Sequence, residues 1–131
     1  MIYIAGPFFN DEERKYLNEM INYVREAFPR EKLFIPMEHF IEGGDSMPNN
    51  VWANLVYKMD IEALEKCSLV CALYLGHYSD TGTAFEIGYA VAKRISVLTY
   101  IPKELQDKDM SLMITSSTIS TNWNSVQLTQ K

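Results

Sequence analysis

Apolar residues along this chain follow two alternating rhythms. Short continuous runs, Ile2-Tyr-Ile-Ala5, Leu33-Phe-Ile35, Ser68 to Leu75 and Ile95-Ser-Val-Leu-Thr99, have the length and composition of strands, and Ser117 to Ser120 reads as a last short one. The run from Ser68 is apolar on both faces, as in a parallel sheet covered by helices on each side. Between the runs, apolar residues recur at helical spacing. Leu17, Met20, Ile21, Val24 and Phe28 mark a first helix, which opens at Asn10 with Glu13 as in a capping box, carries acidic residues in its first turn, and stops at Pro29. A second helix spans Asn50 to Lys66, a third opens near Asp80 and continues to about Lys93, and Met110-Ser-Leu-Met-Ile114 suits one or two turns. This alternation predicts an α/β fold around a central parallel sheet of about five strands.

The two longer downstream helices hold the informative exceptions. From Ala84 to Ala92 every residue is apolar, small or aromatic except Glu86, and a helix apolar nearly all round is expected to be enclosed. Glu86 then reads as a buried carboxylate, a group seldom kept without a partner or a task. The wheel also sets Glu86 with Gly82, Ala90 and Lys93, so the wet side of an ordinary helix is the other reading. On the second helix Asn54, Lys58, Glu62, Glu65 and Lys66 form a polar face, opposite Ala53, Val56, Ala63, Leu64 and Cys67. Asp60 falls within that apolar face, where it is either a structural partner to a backbone group or a site residue.

Composition narrows the class. With 131 residues the chain is expected to form one domain, residues 1–131, and 47% hydrophobic and 22% charged residues are ordinary for a globular protein. No long apolar run suggests a membrane span and the N-terminus lacks a signal-peptide pattern, so a cytoplasmic protein is expected. The net charge of −5 argues against nucleic acid as a partner. Cys67 and Cys71 lack the number and spacing of a zinc or redox site and read as buried thiols.

Candidate chemistry gathers where strands end. Gly6-Pro7-Phe8-Phe9 follows the first strand, at the edge where open α/β sheets bind ligands; one phenylalanine is expected as a stacking wall and the other as a core plug. Pro36 to Asn50 is a long loop carrying Met37, Glu38, His39, Phe40 and Gly43-Gly44, and loops of that length are usually functional. His39 by itself is a weak signal. Asp60, Asp80 and Glu86 come from elements that converge on the same edge, beside Tyr3 and Phe8. That grouping suits glycosyl chemistry, in which one carboxylate stabilises or attacks an anomeric carbon while a second carboxyl protonates the departing group. Such chemistry requires no metal or organic cofactor. A phosphate-binding loop is excluded by the lack of a glycine-rich run with lysine, and a receiver domain by Ala5-Gly6-Pro7 where an acidic pair would stand.

Ile2-Tyr-Ile-Ala-Gly-Pro-Phe-Phe9, Val51-Trp-Ala followed by Asp60, Asp80-x-Gly-x-x-x-Glu86-x-Gly-Tyr-Ala90, and Ser111-Leu-Met113 together resemble the nucleoside 2-deoxyribosyltransferases, from residue 1 to about 115. The resemblance implies a flavodoxin-like three-layer α/β/α fold and exchange of the base of a 2'-deoxyribonucleoside by double displacement. It implies Glu86 as the nucleophile forming a deoxyribosyl ester, Tyr3 orienting it, Asp60 protonating the leaving base and Asp80 holding the sugar 5'-hydroxyl. Phe8 would stack on the base, with Phe9, Met37 and His39 as looser neighbours and Gly6 and Gly82 among the binding residues. Ser111 and Met113 would reach the site of a neighbouring subunit, in a homodimer at least and a hexamer built from dimers. No cofactor is implied, only a deoxynucleoside and a free nucleobase.

Two departures bear on the branch. The family's transferases carry Asn where this chain has Ser111, whereas a sister branch, the nucleoside 5'-monophosphate N-glycosidases, has serine there and also where Asp80 stands. Asp80 would repel a phosphate, which favours the unphosphorylated nucleoside and leaves N-glycosidase hydrolysis as the alternative. The family's aromatic C-terminal residue has no match in Gln127 to Lys131, from which a higher rate of hydrolysis as a side reaction is expected.

Overall fold

The computed structural model describes residues 1–76, 80–106 and 109–120, and the backbone of 127–128. In chain order the elements are β1 (Ile2–Ala5), α1 (Asp11–Ala27), β2 (Leu33–Phe34), α2 (Asn49–Lys66), β3 (Leu69–Leu73), α3 (Thr81–Ala92), β4 (Ser96–Tyr100), β5 (Asp109–Met110), α4 (Leu112–Ser117), β6 (Ile119–Ser120) and β7 (Gln127–Leu128). Five strands form one sheet in the order β2-β1-β3-β4-β6, every pair parallel, and β5 pairs with β7 in a separate two-stranded sheet. This is the parallel α/β sheet that the alternation of strand and helix predicts, in the three-layer, flavodoxin-like form that the resemblance implies.

Period-two alternation along the central strands divides the core. Ile2 and Ile4 of β1, with Cys71 and Leu73 of β3, pack against Tyr16, Leu17, Met20, Ile21 and Val24 of α1. Tyr3, Ala5, Val70 and Ala72 point the other way, onto Ala63 and Leu64 of α2 and Ile87 and Ala90 of α3. Each fully buried Ile or Leu contributes about 1.5–3 kcal/mol, so the register Ile2↔Leu69 to Ala5↔Ala72 is held from both faces. The order of the strands reverses direction between β1 and β3, which opens a crevice outside their carboxyl ends. Tyr3 therefore lies on the α2–α3 side of the sheet, close to that crevice.

Boundaries shift where local chemistry interrupts pairing. β2 stops at Phe34 although Ile35 is buried, because Pro36 has no N–H and a one-turn 3₁₀ helix starts there. β3 stops at Leu73, short of Leu75, as the chain turns through Gly76 at φ 116°. The turn expected over Met110–Ile114 begins at Leu112 and runs to Ser117, with Met110 instead paired in β5, and the last strand of the main sheet is confined to Ile119–Ser120. The tail expectations, including the absent aromatic C-terminal residue, lie outside the described residues apart from the backbone of 127–128.

One expectation is overturned. The helix α3 is not enclosed within this chain: Thr83, Ile87 and Ala90 are buried, but Ala84, Phe85, Gly88 and Val91 are exposed. Only the stripe facing β3 and β4 meets the sheet; on the opposite apolar stripe Phe85 meets Tyr57 of α2, and among the described residues the rest of that stripe stays exposed. The apolar face of α2 likewise holds only for its second half, since Ala63 and Leu64 are buried while Ala53 is exposed.

Gly6 fills the tightest point between α1 and the sheet. A Cβ there would come within 2.9 Å of both Leu17 Cδ1 and Leu73 Cβ. Gly6→Ala is therefore expected to destabilise the protein by about 1–3 kcal/mol, the usual cost of overpacking, read as a lower urea midpoint.

Candidate active site

Two helices, α2 and α3, supply three acidic groups to the crevice. Asp80 is the N-cap of α3, its Oδ2 accepting from the backbone N–H of Thr83 at 2.8 Å and from the Thr83 hydroxyl at 2.7 Å. Helical geometry then places Glu86 on the side of α3 that looks back at β1. Asp60 comes from α2, one turn before the buried Ala63 and Leu64. A cavity of about 440 Å³ opens among them, within the range of small-molecule sites. Gly6, Phe8, Phe9, His39, Asp60, Asp80, Gly82 and Glu86 all line it.

The Tyr3 hydroxyl donates a hydrogen bond to Glu86 Oε2. Tyr3 is fully buried, and burial first, then the charge of Glu86, raises its pKa far above the ordinary phenol range, so it stays a donor at any working pH. Burial pushes the Glu86 carboxyl up to about 7, with the Tyr3 hydrogen bond opposing and Asp60 and Asp80 adding to the rise. Glu86 is therefore a half-buried carboxylate facing the cavity, not the wet side of a helix. The Asp60 pKa is raised to about 6 by burial, with the charge of His39 opposing, and its Oδ1 is buried with no hydrogen-bond partner among the described residues. Two carboxyls poised near neutrality in one cavity can exchange roles as base or nucleophile and as acid.

The cavity walls are aromatic and apolar. Phe8 and Phe9 stack on each other, centroids 5.5 Å apart; Phe8 also packs on the α1 core, while Phe9 is 71% exposed. Both front the cavity, so the plug and the wall are not separate residues. Their loop is clamped to the first turn of α1: Glu13 Oε1 accepts from the Phe9 N–H at 2.8 Å, Arg14 Nη1 donates to the Phe8 carbonyl at 3.0 Å, and Asn10 Oδ1 caps the Glu13 N–H at 2.8 Å. Across the cavity stand Met37, Phe40, Ile41, Trp52, Val56 and Met59. Of these, Phe40, Ile41, Trp52, Val56 and Met59 were not assigned to the site from the sequence. An apolar Phe40-Ile41 pair inside a polar loop, and a Trp in the first turn of a helix, were the available signals. Trp52 lies against the loop backbone, since a Cβ on Gly44 would meet its Cδ1 at 2.8 Å.

Ser111 and Met113, expected in a neighbouring subunit's site, do not line this chain's own cavity. The backbone N–H of Ser111 donates to the Tyr74 hydroxyl at 3.0 Å at the start of α4, and Met113 is 71% exposed on that helix. Among the described residues no group of His, Cys, Asp and Glu is arranged to hold a metal ion. Cys67 and Cys71 are buried free thiols in the core, as expected.

Fold and cavity together define an α/β protein with a small-molecule crevice in which a tyrosine-held carboxylate stands beside a second acid and an aromatic wall. The chain belongs to the nucleoside 2-deoxyribosyltransferase family, whose model matches residues 2–122. Membership makes it an enzyme of the transferase class and implies deoxynucleoside and nucleobase substrates. Among solved structures it is similar to a 2-deoxyribosyltransferase from the psychrotolerant bacterium Bacillus psychrosaccharolyticus, at 28% identity and a TM-score of 0.75, over 94% of this chain and 87% of that one. It is also similar to a conserved protein from Enterococcus faecalis V583, at 28% identity and a TM-score of 0.65, over 81% of this chain and 65% of that one. No curated protein matches the chain.

The raised Glu86 pKa carries a stability consequence of definite sign. A carboxyl that binds its proton more tightly folded than unfolded favours the fold fully below its ordinary value of 4.5, and that contribution is lost as pH rises through about 7. Glu86→Gln, which keeps an acceptor for Tyr3 and removes the charge, is expected to be more stable than the wild type at pH 8. The gain should be on the order of 2 kcal/mol, vanishing near pH 4, as read from thermal midpoints across that range.

Proposed function

We propose that this enzyme exchanges the base of 2'-deoxyribonucleosides by double displacement through a deoxyribosyl ester of Glu86. The observation that carries the reading is the Glu86 carboxylate, half-buried and held by Tyr3 in a cavity whose aromatic and apolar lining suits a planar base. In the first step a Glu86 oxygen forms a bond to C1' as the C1'–N bond breaks, its electron pair leaving with the base, and the Asp60 carboxyl supplies the proton that neutralises it. In the second, an incoming base attacks C1', the ester bond breaks back to the carboxylate, and Asp60 recovers a proton from the new nucleoside. Water in place of the second base gives hydrolysis as the side reaction.

Other residues take supporting roles. Tyr3 orients the nucleophile. Asp80 commits Oδ2 to Thr83, which leaves Oδ1 to accept from the sugar 5'-hydroxyl. Gly82 keeps that end of the cavity open, since a Cβ there would lie 3.2 Å from Asp80 Oδ2. Phe8 and Phe9 stack on the base beside His39, and Gly6 sets the turn that presents them. Ser111 and Met113 complete a neighbouring subunit's site. The exposed stripe of Phe85 and Val91 on α3, with Tyr57 of α2 tilted against Phe85, supports a homo-oligomer, at least a dimer and in the full form a hexamer built from dimers. The setting is cytoplasmic salvage of deoxyribonucleosides, without a cofactor; no described helix is long and apolar enough to cross a membrane. Ser111 in the place of an asparagine favours the second reading, an N-glycosidase acting on nucleosides or their 5'-monophosphates.

Incubation with 2'-deoxyinosine, with and without free adenine or cytosine, separates the readings. A new nucleoside is expected; free deoxyribose alone would mean a hydrolase. Glu86→Ala should leave less than about a hundredth of the rate, and a larger residue would exclude the covalent role. The kcat/KM profile should be bell-shaped with an optimum between pH 6 and 7, its two limbs belonging to the coupled Asp60 and Glu86 carboxyls.

Charge decides the branch. With Asp80 in place, deoxynucleoside 5'-monophosphates should be poor substrates, and Asp80→Ser should improve their KM while weakening the cap of α3. Light scattering on the same samples is expected to show that the active species is oligomeric. Preference of the wild type for the monophosphate would transfer the assignment to the N-glycosidase branch, and full activity in a monomer would remove Ser111 and Met113 from the site.

A further inference from the structure

His39 lies in the long loop before α2, a position where an isolated histidine would ordinarily be solvated. Here its imidazole lies nearly flat on Phe34, centroids 4.4 Å apart and planes 10° from parallel. Phe34 in turn stacks on Tyr3 at 5.3 Å and 18°, and Tyr3 donates to Glu86. Three rings thus run in series from the loop to the nucleophile, anchoring an exposed side chain to strands β2 and β1. The stack fixes the imidazole on the cavity wall that Asp60 also lines.

The charge distribution around that wall is one-sided. From α3 come Asp80 and Glu86, from α2 Asp60, and from β1 the Tyr3 hydroxyl bonded to Glu86; Glu38, next to His39 in sequence, fronts a different hollow beside Arg25 and Glu31. Among the described residues lining the cavity, His39 is the one side chain able to carry positive charge. In the same cavity, Asp60 has a buried oxygen with no hydrogen-bond partner among the described residues. A buried carboxyl in that condition responds strongly to any nearby cation, because little else offsets its desolvation.

We propose that His39 is the positioning residue of Asp60, its imidazole held on Phe34 so that its charge sets the protonation of the carboxyl that serves the leaving base. This rests on the proposed role of Asp60 as proton donor, and it adds a control on that donor from a loop outside the acidic motifs. The electrostatic direction agrees: the positive charge of His39 lowers the proton affinity of Asp60 against the effect of burial. Removing that charge leaves burial unopposed, so a larger share of Asp60 would hold its proton at a given pH and the balance between giving and recovering a proton would shift.

The test separates charge from stacking. His39→Phe keeps a ring against Phe34 and removes the charge, whereas His39→Arg keeps a planar cation able to stack. The titration of the Asp60 carboxyl carbon, followed by NMR in the free protein, is expected to move up by about half a pH unit in His39→Phe and to stay at or below the wild-type midpoint in His39→Arg. The high-pH limb of kcat/KM for a deoxynucleoside with a poor leaving base should move with it. An Asp60 midpoint that is the same in all three proteins would overturn the proposal. A midpoint that moves while the limb does not would uphold the pairing and overturn instead the assignment of Asp60 as proton donor. Loss of activity in His39→Phe with both midpoints unchanged would mean that the ring contacts the base directly, and would overturn the positioning role.

Discussion

Everything at this site depends on one hydrogen bond, from the hydroxyl of Tyr3 to the carboxylate of Glu86. A carboxylate taken into a low-dielectric cavity is costly unless a donor meets it, and a bond to a charged acceptor contributes about 1.5–3 kcal/mol. The donor comes from β1, which pairs in parallel with β2 on one side and β3 on the other and is buried along its whole length. Tyr3 cannot move without disturbing that register. The orientation of the acidic group is thus inherited from the hydrophobic core through a single phenol.

Around that bond the fold tolerates three acidic residues in one crevice. Asp80 offsets its placement by capping α3, since its charge and its acceptor oxygen both favour the helix N-terminus. Glu86 and Asp60 have no such structural return, and burial pushes both toward neutral pH. Their cost is carried by the core on the two faces of the sheet. The pattern is that of a site held in a strained electrostatic state by packing elsewhere, with the states of the two carboxyls separated by environment: one hydrogen-bonded by Tyr3, the other with a buried oxygen that no described group meets.

The second constraint is positional. The aromatic loop after β1 has no regular structure, yet Glu13 and Arg14 tie its backbone to the first turn of α1, so Phe8 and Phe9 move with a helix that is itself packed on the sheet. The far wall is built differently, from a 3₁₀ turn whose Gly44 rests on the indole of Trp52. One wall is therefore tied to α1 by side-chain hydrogen bonds, while the other closes its own turns by backbone hydrogen bonds and rests on Trp52. A planar ligand would lie between a rigid face and one that depends on the fit of a glycine against an aromatic ring.

The sequence by itself determined the element order, the parallel sheet and the acidic trio, because each rests on local periodicity or capping: period two in β1, a carboxylate N-cap at Asp80, a lone Glu86 in an apolar helix. It was also enough to carry a family resemblance through the Asp80 to Ala90 motif. It could not say which side of α3 Glu86 faces, since a helical wheel gives angles relative to the helix and not to the sheet; that was decided by Tyr3 alternating onto the α2–α3 face. Nor could it show that His39 is stacked on Phe34 or that Trp52 walls the cavity, because those contacts join residues from a loop to elements distant from it in register. The apolar outer stripe of α3 was legible as composition, but its exposure was not: whether a hydrophobic face is covered is a property of what packs beside it, and only the tertiary arrangement shows that, among the described residues, Tyr57 meets Phe85 while both Phe85 and Val91 stay exposed.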